Sequence, residues 1–179
     1  DSPWGALRLA VEAAFFPKHP YGYPILGTFD DVNGLTIEQL TEHYRSFYAP
    51  NNASLVLVGD FDSEETLRTV ERLFGHISPR PIPEEPPWPQ SNHEREQRVE
   101  IQKTSHVPRL LGAFPAPTIR DRDHYAVEFI DNLLSQGKLA RLHRRLVEEE
   151  RVTSAVMTEF DATIHPYLFL IRAELQPEV

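Results

Sequence analysis

The side chains that could do chemistry in this chain are histidines and acids, because its 179 residues include no cysteine. A protein zinc site needs three or four N, O or S ligands that converge on one point. No two histidines stand three or four residues apart, and neither H-E-x-x-H nor H-x-x-E-H occurs. We therefore expect no metal ligand, no cofactor-binding residue and no catalytic residue in this chain. The histidines are His19, His43, His76, His93, His106, His124, His143 and His165.

Ordinary structural positions explain several of these histidines. His19 is expected in a loop, His43 and His143 on solvated helix surfaces, and His124 at a helix start beside two aspartates. The acid run at 148–150 could be a metal patch or an acid/base pair, but three successive helical residues point in different directions. A solvated helix end is the better interpretation. The sequence also contains no G-x-S-x-G turn and no Gly-rich phosphate loop.

Composition limits the partners. The net charge of −9 argues against nucleic acid, because neutralising phosphates needs clustered Lys and Arg. No apolar stretch approaches the ~20 residues that cross a bilayer, so we expect no membrane span. A chain without cysteine suits the cytosol and the bacterial periplasm equally, and the compartment stays open.

Residues 1–78 predict three helices and one strand. Ser2 as a cap and a proline at the first helical position predict a helix over 3–16, followed by a loop over 17–35. A capping box of Thr36 and Gln39 begins a helix over 37–48. The apolar run 53–60 predicts a buried strand, and a helix over 63–75 begins at the cap Ser63 and ends in a left-handed turn at Gly75. An amphipathic helix at the very start is typical of the middle of a protein, so we interpret the chain as an excised segment.

A proline-rich stretch separates two halves. Six prolines fall between Pro79 and Pro89, which excludes a helix or sheet interior and predicts an extended linker over 79–97. A ligand for proline-recognition domains is the less favoured alternative. Beyond it, the patterns predict strands in 98–103 and 109–114 and a helix that begins near Asp121 or Asp123, breaks or bends at Gly137 and then resumes. An antiparallel strand pair follows at 153–162 and 167–175.

The ordered wording resembles the insulinase (pitrilysin) family of zinc metallopeptidases. The pieces are HPYGYPILGT (19–28), TIEQLTEHYRSFYAPNNASLVLVGDF (36–61), PRLLGAFPAP (108–117) and RDRDHYAVEFIDNLLSQGKLARLHRRLVEEE (120–150). The resemblance implies an α+β fold, an α/β sandwich whose antiparallel sheet carries helices on one face. It makes 1–78 the back half of the zinc-type domain, 79–97 the linker and 98–179 the front half of the following non-catalytic domain. The family's H-x-x-E-H and its third ligand, a glutamate, would lie upstream, and Glu12 is too far along its helix to be that ligand.

The resemblance also draws attention to a missing pair. Many family members carry an Arg and a Tyr in the wording L-R-E-x-x-G-L-A-Y-S-V, which help to bind substrate and stabilise the transition state. A gapless alignment puts Val147 at the Arg position and Ser154 at the Tyr position, and valine cannot donate hydrogen bonds to a developing oxyanion. A register shifted by three, which would use the nearby Arg144 or Arg145, is the alternative.

Function follows from the resemblance as an expectation. This chain would be a non-catalytic segment of a zinc metalloendopeptidase, inactive alone, that forms chamber wall and substrate-docking surface for peptides or unfolded segments. Zinc would come from the N-terminal domain of the intact parent, and the Arg–Tyr pair from a later domain or a partner subunit. The alternative is a structural or assembly subunit related to non-proteolytic core proteins of the family. We also expect the two half-domains to close on each other or to exchange in a swapped homodimer.

Overall fold

The computed structural model describes residues 3–89, 95–104 and 107–177. Ser2, His93 and His106 therefore lie outside the described residues, as does part of the 79–97 linker. The helices are α1 (Pro3–Phe15), α2 (Phe29–Gly34), α3 (Ile37–Phe47), α4 (Ser63–Phe74) and α5 (His124–Ser135), with a π-helical turn at His143–Glu149. The strands are β1 (Arg109–Ala116), β2 (Thr153–Phe160) and β3 (Tyr167–Leu175), and 3-10 turns occur at Pro20–Gly22 and Pro50–Asn52. The predicted α+β class is confirmed.

The chain divides into two compact units. We call the first the sheet unit, which is made of Asp1–Ile25 and Trp88–Val179. The second, Leu26–Pro87, is called the helical unit. The sheet unit is discontinuous in sequence, since both ends of the chain contribute to it.

The sheet unit is built on a three-stranded antiparallel sheet in the order β1-β3-β2. Ile171 of β3 lies opposite Gly112 of β1 and opposite Thr158 of β2. The apolar run that opens β3 is buried because a central strand is covered on both faces, as near-continuous hydrophobic strands usually are. The predicted pairing of the last two strands is confirmed.

Helices cover both faces of this sheet, which corrects the expectation from the resemblance that they lie on one face only. On one face, the Trp4 ring of α1 lies 5.8 Å from the Arg109 guanidinium and 5.5 Å from that of Arg172. Adjacent residues of a strand point to opposite faces. Thr158 of β2 lies opposite Ile171, the neighbour of Arg172, and is therefore on the other face. There Ser135 of α5 is hydrogen-bonded to Thr158 at 2.5 Å. The sheet unit is thus a three-layer arrangement of α1, sheet and α5.

The core of the sheet unit forms where α1 meets β3. Its buried members are Phe16, Tyr167, Leu168 and Leu170, and the rings of Phe16 and Tyr167 stack at 5.7 Å. Partly buried side chains from α1, the following turn and β1 surround them, namely Val11, Phe15, Tyr21, Leu111 and Ala113. The N-terminal segment is therefore an integral part of the core on which the C-terminal strands rest.

The helical unit begins its helices with local caps. The predicted capping box of Thr36 and Gln39 is present at α3, and a second box, Thr28 with Asp31, begins α2 inside the stretch predicted as loop. Asp62, rather than the predicted Ser63, caps α4 by accepting a hydrogen bond from the Glu65 N–H. The predicted left-handed stop at Gly75 is also wrong, because this residue is right-handed with φ −62°.

Two predicted strands are absent from the described residues. Segments 53–60 and 98–103 form no strand, and Val56 and Val58 are 78% and 93% exposed. A strand needs a neighbour to pair its N–H and C=O groups, and no described segment pairs with either one. Among the described residues of the helical unit, only Ala49 is buried, so the unit has no closed core of its own.

The helix after β1 is interrupted at the glycine where the sequence predicts a break or bend. Gly137 has φ +83°, which ends the regular helix as predicted, and the chain resumes in the π-helical turn. That turn is followed by Arg151 at φ +56°, a left-handed conformation that is unfavourable for residues other than glycine.

Candidate functional site

A cluster of charged side chains joins α1 to β2 and β3. The Arg8 guanidinium donates to Glu12 at 2.8 Å, to Asp161 at 2.9 Å and to the Tyr167 hydroxyl at 3.0 Å. It also reaches Glu159 at 3.4 Å, and Glu159 is bonded on its other oxygen by Arg172. The Tyr167 hydroxyl donates to Glu12. We call these six residues the Arg8 cluster.

The electrostatics of the Arg8 cluster keep both arginines charged and the tyrosine neutral. Burial lowers the pKa of Arg8, but hydrogen bonds to Glu12, Tyr167 and Asp161 outweigh it, so the pKa is raised above its ordinary value. Burial raises the pKa of Tyr167 to about 12, with the Glu12 carboxylate adding to the effect. Burial and the like charge of Arg8 lower the pKa of Arg172. The cluster thus ties α1 to β2 and β3 through hydrogen bonds between charged groups.

A second cluster contains His19 and His165, which lie next to aromatic side chains. The His19 ring lies 5.4 Å from His165, 4.6 Å from Tyr21 and 5.9 Å from Trp88. His19 Nδ1 accepts a hydrogen bond from the Tyr21 backbone N–H at 3.1 Å and so caps the Pro20–Gly22 turn. In the neutral ring the proton then lies on Nε2, which leaves no lone pair there for a metal. His19 is a loop residue, as predicted, with a capping role.

The remaining described histidines are dispersed. His43 is exposed on α3 beside the Phe47 ring, and His76 is exposed after α4. His143 is half-buried in the π-helical turn, 3.7 Å from Glu148. His124 opens α5 as predicted, and its ring is buried against Phe160.

The structure supports the alignment that places Val147 and Ser154 at the Arg and Tyr positions. In that register the wording's glycine falls on Arg151, whose positive φ is the conformation that glycine favours. Val147 is half-buried in the π-helical turn, and Ser154 is exposed at an irregularity of the β2 register. Ser154 Oγ reaches only the backbone carbonyl of Glu174, at 3.4 Å. Neither side chain can take the role that an Arg–Tyr pair would have.

Potential metal ligands among the described residues do not converge on one point. Across 3–89, 95–104 and 107–177, no group of three or more His, Asp or Glu side chains is arranged to hold an ion. The three carboxylates of the Arg8 cluster are instead paired with two arginines. Zinc therefore does not fit the described part of this chain. Within the same residues, no helix combines the length and the apolar character that a membrane crossing requires.

A family model decides the relationship. The model described as "Peptidase M16 inactive domain" matches residues 34–179. The chain belongs to the peptidase M16 inactive domain family. The match begins after α1, so the M16 model does not include Arg8 or Glu12, although the sheet unit does.

Two proteins named as zinc proteases resemble the chain along nearly its whole length. Zinc protease PqqE of Helicobacter pylori is 23% identical over 100% of this chain, which covers 41% of the relative. An uncharacterized zinc protease of Streptomyces coelicolor is 25% identical over 99% of the chain, which covers 40% of that protein. The chain thus spans about two fifths of the length of these relatives.

Solved structures support the fold. The peptidase M16 inactive domain from Pseudomonas fluorescens aligns with a TM-score of 0.82 at 20% identity, over 98% of this chain and 42% of that chain. A protease from Helicobacter pylori aligns with a TM-score of 0.76 at 22% identity, over 99% and 44% respectively.

The Arg8 cluster was not predicted from the sequence. One signal was available, because Trp4, Arg8 and Glu12 recur every four residues and therefore share a helix face. Glu159, Asp161 and Tyr167 are about 150 residues away in sequence, and no local pattern connects them with α1.

Proposed function

We propose that this chain is a non-catalytic segment of a longer zinc metalloendopeptidase. The observation that carries the proposal is the M16 inactive domain match over 34–179. It is accompanied by similarity, along nearly the whole of this chain, to proteins named zinc proteases. The histidines and acids of the described residues do not form a zinc site. We therefore assign zinc to a part of the parent protein that precedes residue 1.

The segment's role in the parent is to form chamber wall and to dock peptide substrates. In support, β1 and β2 are the outer strands of the sheet and each pairs on one side only within the described residues. An outer strand can add an extended peptide through main-chain hydrogen bonds. Peptides and unfolded segments are the substrates that this mode of binding suits.

Transition-state stabilisation comes from elsewhere in the parent. Valine at 147 has no hydrogen-bond donor for a carbonyl oxygen that gains charge, and the Ser154 hydroxyl donates to the backbone carbonyl of Glu174 instead. The proposal therefore assigns the Arg–Tyr pair to a later domain or to a partner subunit.

The apolar surface of the helical unit needs a cover. Side chains on α3 and in 53–60 are exposed, among them Ile37, Leu40, Val56 and Val58. Burying apolar surface contributes about 25 cal/mol of stabilisation per Å², and surface that stays in water does not provide it. In the proposed parent the preceding zinc domain covers this surface, whereas the isolated segment closes it by intramolecular packing or as a swapped homodimer. Size-exclusion chromatography with light scattering distinguishes these, since a strictly monomeric segment excludes the swap.

The test compares the segment with its parent. An internally quenched peptide is incubated with the 179-residue chain, with the full-length parent, and with the parent plus the product of its genomic neighbour, each with and without 1,10-phenanthroline. We expect no cleavage by the segment and chelator-sensitive cleavage by the parent assembly. Cleavage by the segment that survives the chelator would overturn the proposal. A parent that lacks H-x-x-E-H and cleaves nothing would favour the structural-subunit alternative, and full activity of a lone parent without any Arg–Tyr pair would refute the division of roles.

A further inference from the structure

One face of α1 forms a row of directional contacts with the sheet. Trp4, Arg8 and Glu12 lie one turn apart on this helix. The Trp4 ring lies 5.8 Å from the Arg109 guanidinium and 5.5 Å from that of Arg172, and the other two residues belong to the Arg8 cluster. The row spans the helix from its first turn to its last.

The apolar contacts of α1 attach the helix to the core but do not fix its orientation. Its other contacts with the core, through Val11 and Phe15, are hydrophobic and concentrated at the C-terminal end of the helix. Hydrophobic attraction is non-directional, so these contacts attach the helix without fixing its rotation or tilt. Arginine presents donors in a rigid planar fork, and Arg8 uses it to reach three different partners outside its own helix. Arg8 therefore sets the direction in which α1 leaves the core.

Small tilts of α1 have large effects at its N-terminal end. A helix of 13 residues is about 20 Å long, so a tilt of about 10° around the C-terminal end moves the N-terminal end by about 3 Å. Misplacing a catalytic group by ~1 Å can cost about 100-fold in rate. Whatever part of the protein is joined to the start of α1 is positioned by the Arg8 cluster.

We propose that Arg8 is a positioning residue that couples the inactive domain to the zinc-bearing part of the parent enzyme through α1. The inference rests on the proposed function. It extends the proposed function, because the inactive domain then aligns the catalytic part of the parent in addition to forming chamber wall. Neither Arg8 nor Glu12 is part of the region that the M16 inactive domain model matches.

The experiment uses the parent enzyme with any partner subunit that it needs. Arg8→Met keeps the length and apolar stem of the side chain but removes all four bonds. Arg8→Lys keeps the charge but loses the fork, and Arg68→Met on the exposed face of α4 is the matched control. We measure kcat, KM, bound zinc per folded molecule and thermal unfolding. Asp161→Asn, which removes the negative charge of one half-exposed partner of Arg8, serves as a milder variant in case Arg8→Met does not fold.

We expect Arg8→Met to lower kcat by about 10- to 100-fold while KM changes less than about threefold and bound zinc is retained. Arg8→Lys should recover part of kcat, Asp161→Asn should lower it by about 3- to 10-fold, and Arg68→Met should match the wild type. A purely structural role would reduce the folded fraction but leave kcat per zinc-loaded molecule unchanged, and that result would overturn the inference alone. A wild-type parent without chelator-sensitive cleavage would overturn the proposed function, and this inference with it.

Discussion

Replacing Arg151 by glycine should stabilise the sheet unit. Arg151 has φ +56°, is exposed, and follows the π-helical turn just before β2. The left-handed conformation costs a residue with a Cβ atom about 1–2 kcal/mol. Glycine avoids this cost but loses about 0.5–1 kcal/mol more than alanine through its greater freedom in the unfolded chain. The net expected gain for Arg151→Gly is about 0.5–1 kcal/mol.

The assay exploits the position of the two tryptophans. Trp4 and Trp88 are the only tryptophans in the sequence, and both belong to the sheet unit. Denaturant unfolding followed by tryptophan fluorescence therefore reports this unit. For a chain of this size, about 1 kcal/mol corresponds to a rise in Tm of roughly 2–4 °C.

A matched variant separates the backbone from the side chain. Arg151→Ala removes the guanidinium but keeps a Cβ, so the left-handed cost stays and stability should change by less than about 0.5 kcal/mol. Arg151→Asn should fall between the two, because asparagine tolerates this conformation better than most residues. If the glycine variant is no more stable than the alanine variant, backbone strain at this position is not what the φ value implies.

Three further predictions concern the core of the sheet unit and its contacts. Gly22→Ala should cost about 1–3 kcal/mol, because a Cβ there would lie 2.1 Å from the Phe16 carbonyl oxygen; Gly34→Ala, with nothing within 4 Å, should be neutral or slightly stabilising by circular dichroism. Leu170→Ala should cost about 2–5 kcal/mol in the fluorescence assay, because this side chain is 1% exposed in the core. The free energy of unfolding should fall as pH rises from about 10 towards 12, because the folded-state pKa of Tyr167 is raised to about 12 and its deprotonated form is disfavoured. Solvent screening reduces this loss to about 1 kcal/mol, and it should be absent in Tyr167→Phe.

Local signals predicted most of the helices. The capping box at Thr36 and the turn at Gly137 specify backbone geometry through bonds or conformations within a few residues, so the structure agrees with them. The start of α4 and the missed α2 show the limit of such signals. Asp62 and Ser63 are both residue types that cap helices well, so the sequence does not decide between them. Thr28 and Asp31 form a capping box inside the segment 17–35, for which the sequence predicts a loop.

Strands were predictable only where the chain supplies a partner. The patterns of 53–60 and 109–116 are equally apolar, yet only the second becomes a strand, because β3 lies beside it. An apolar run specifies that a segment needs a neighbour without specifying which one. The Arg8 cluster has the same origin, since its partners on β2 and β3 are chosen by the fold and not by any spacing along the chain.

Sequence similarity and packing therefore divide this chain differently, and the difference has a physical meaning. The M16 inactive domain model begins at residue 34, whereas the sheet unit uses residues from α1 and leaves out 26–87. A partly buried charge cluster and an aromatic core both depend on α1, and neither can form from 34–179 alone. Removing Glu12 and Arg8 would also leave the Tyr167 hydroxyl without the two partners described for it in a mostly buried site. The smallest fragment that preserves the C-terminal sheet must therefore carry α1, even though the family match does not include it.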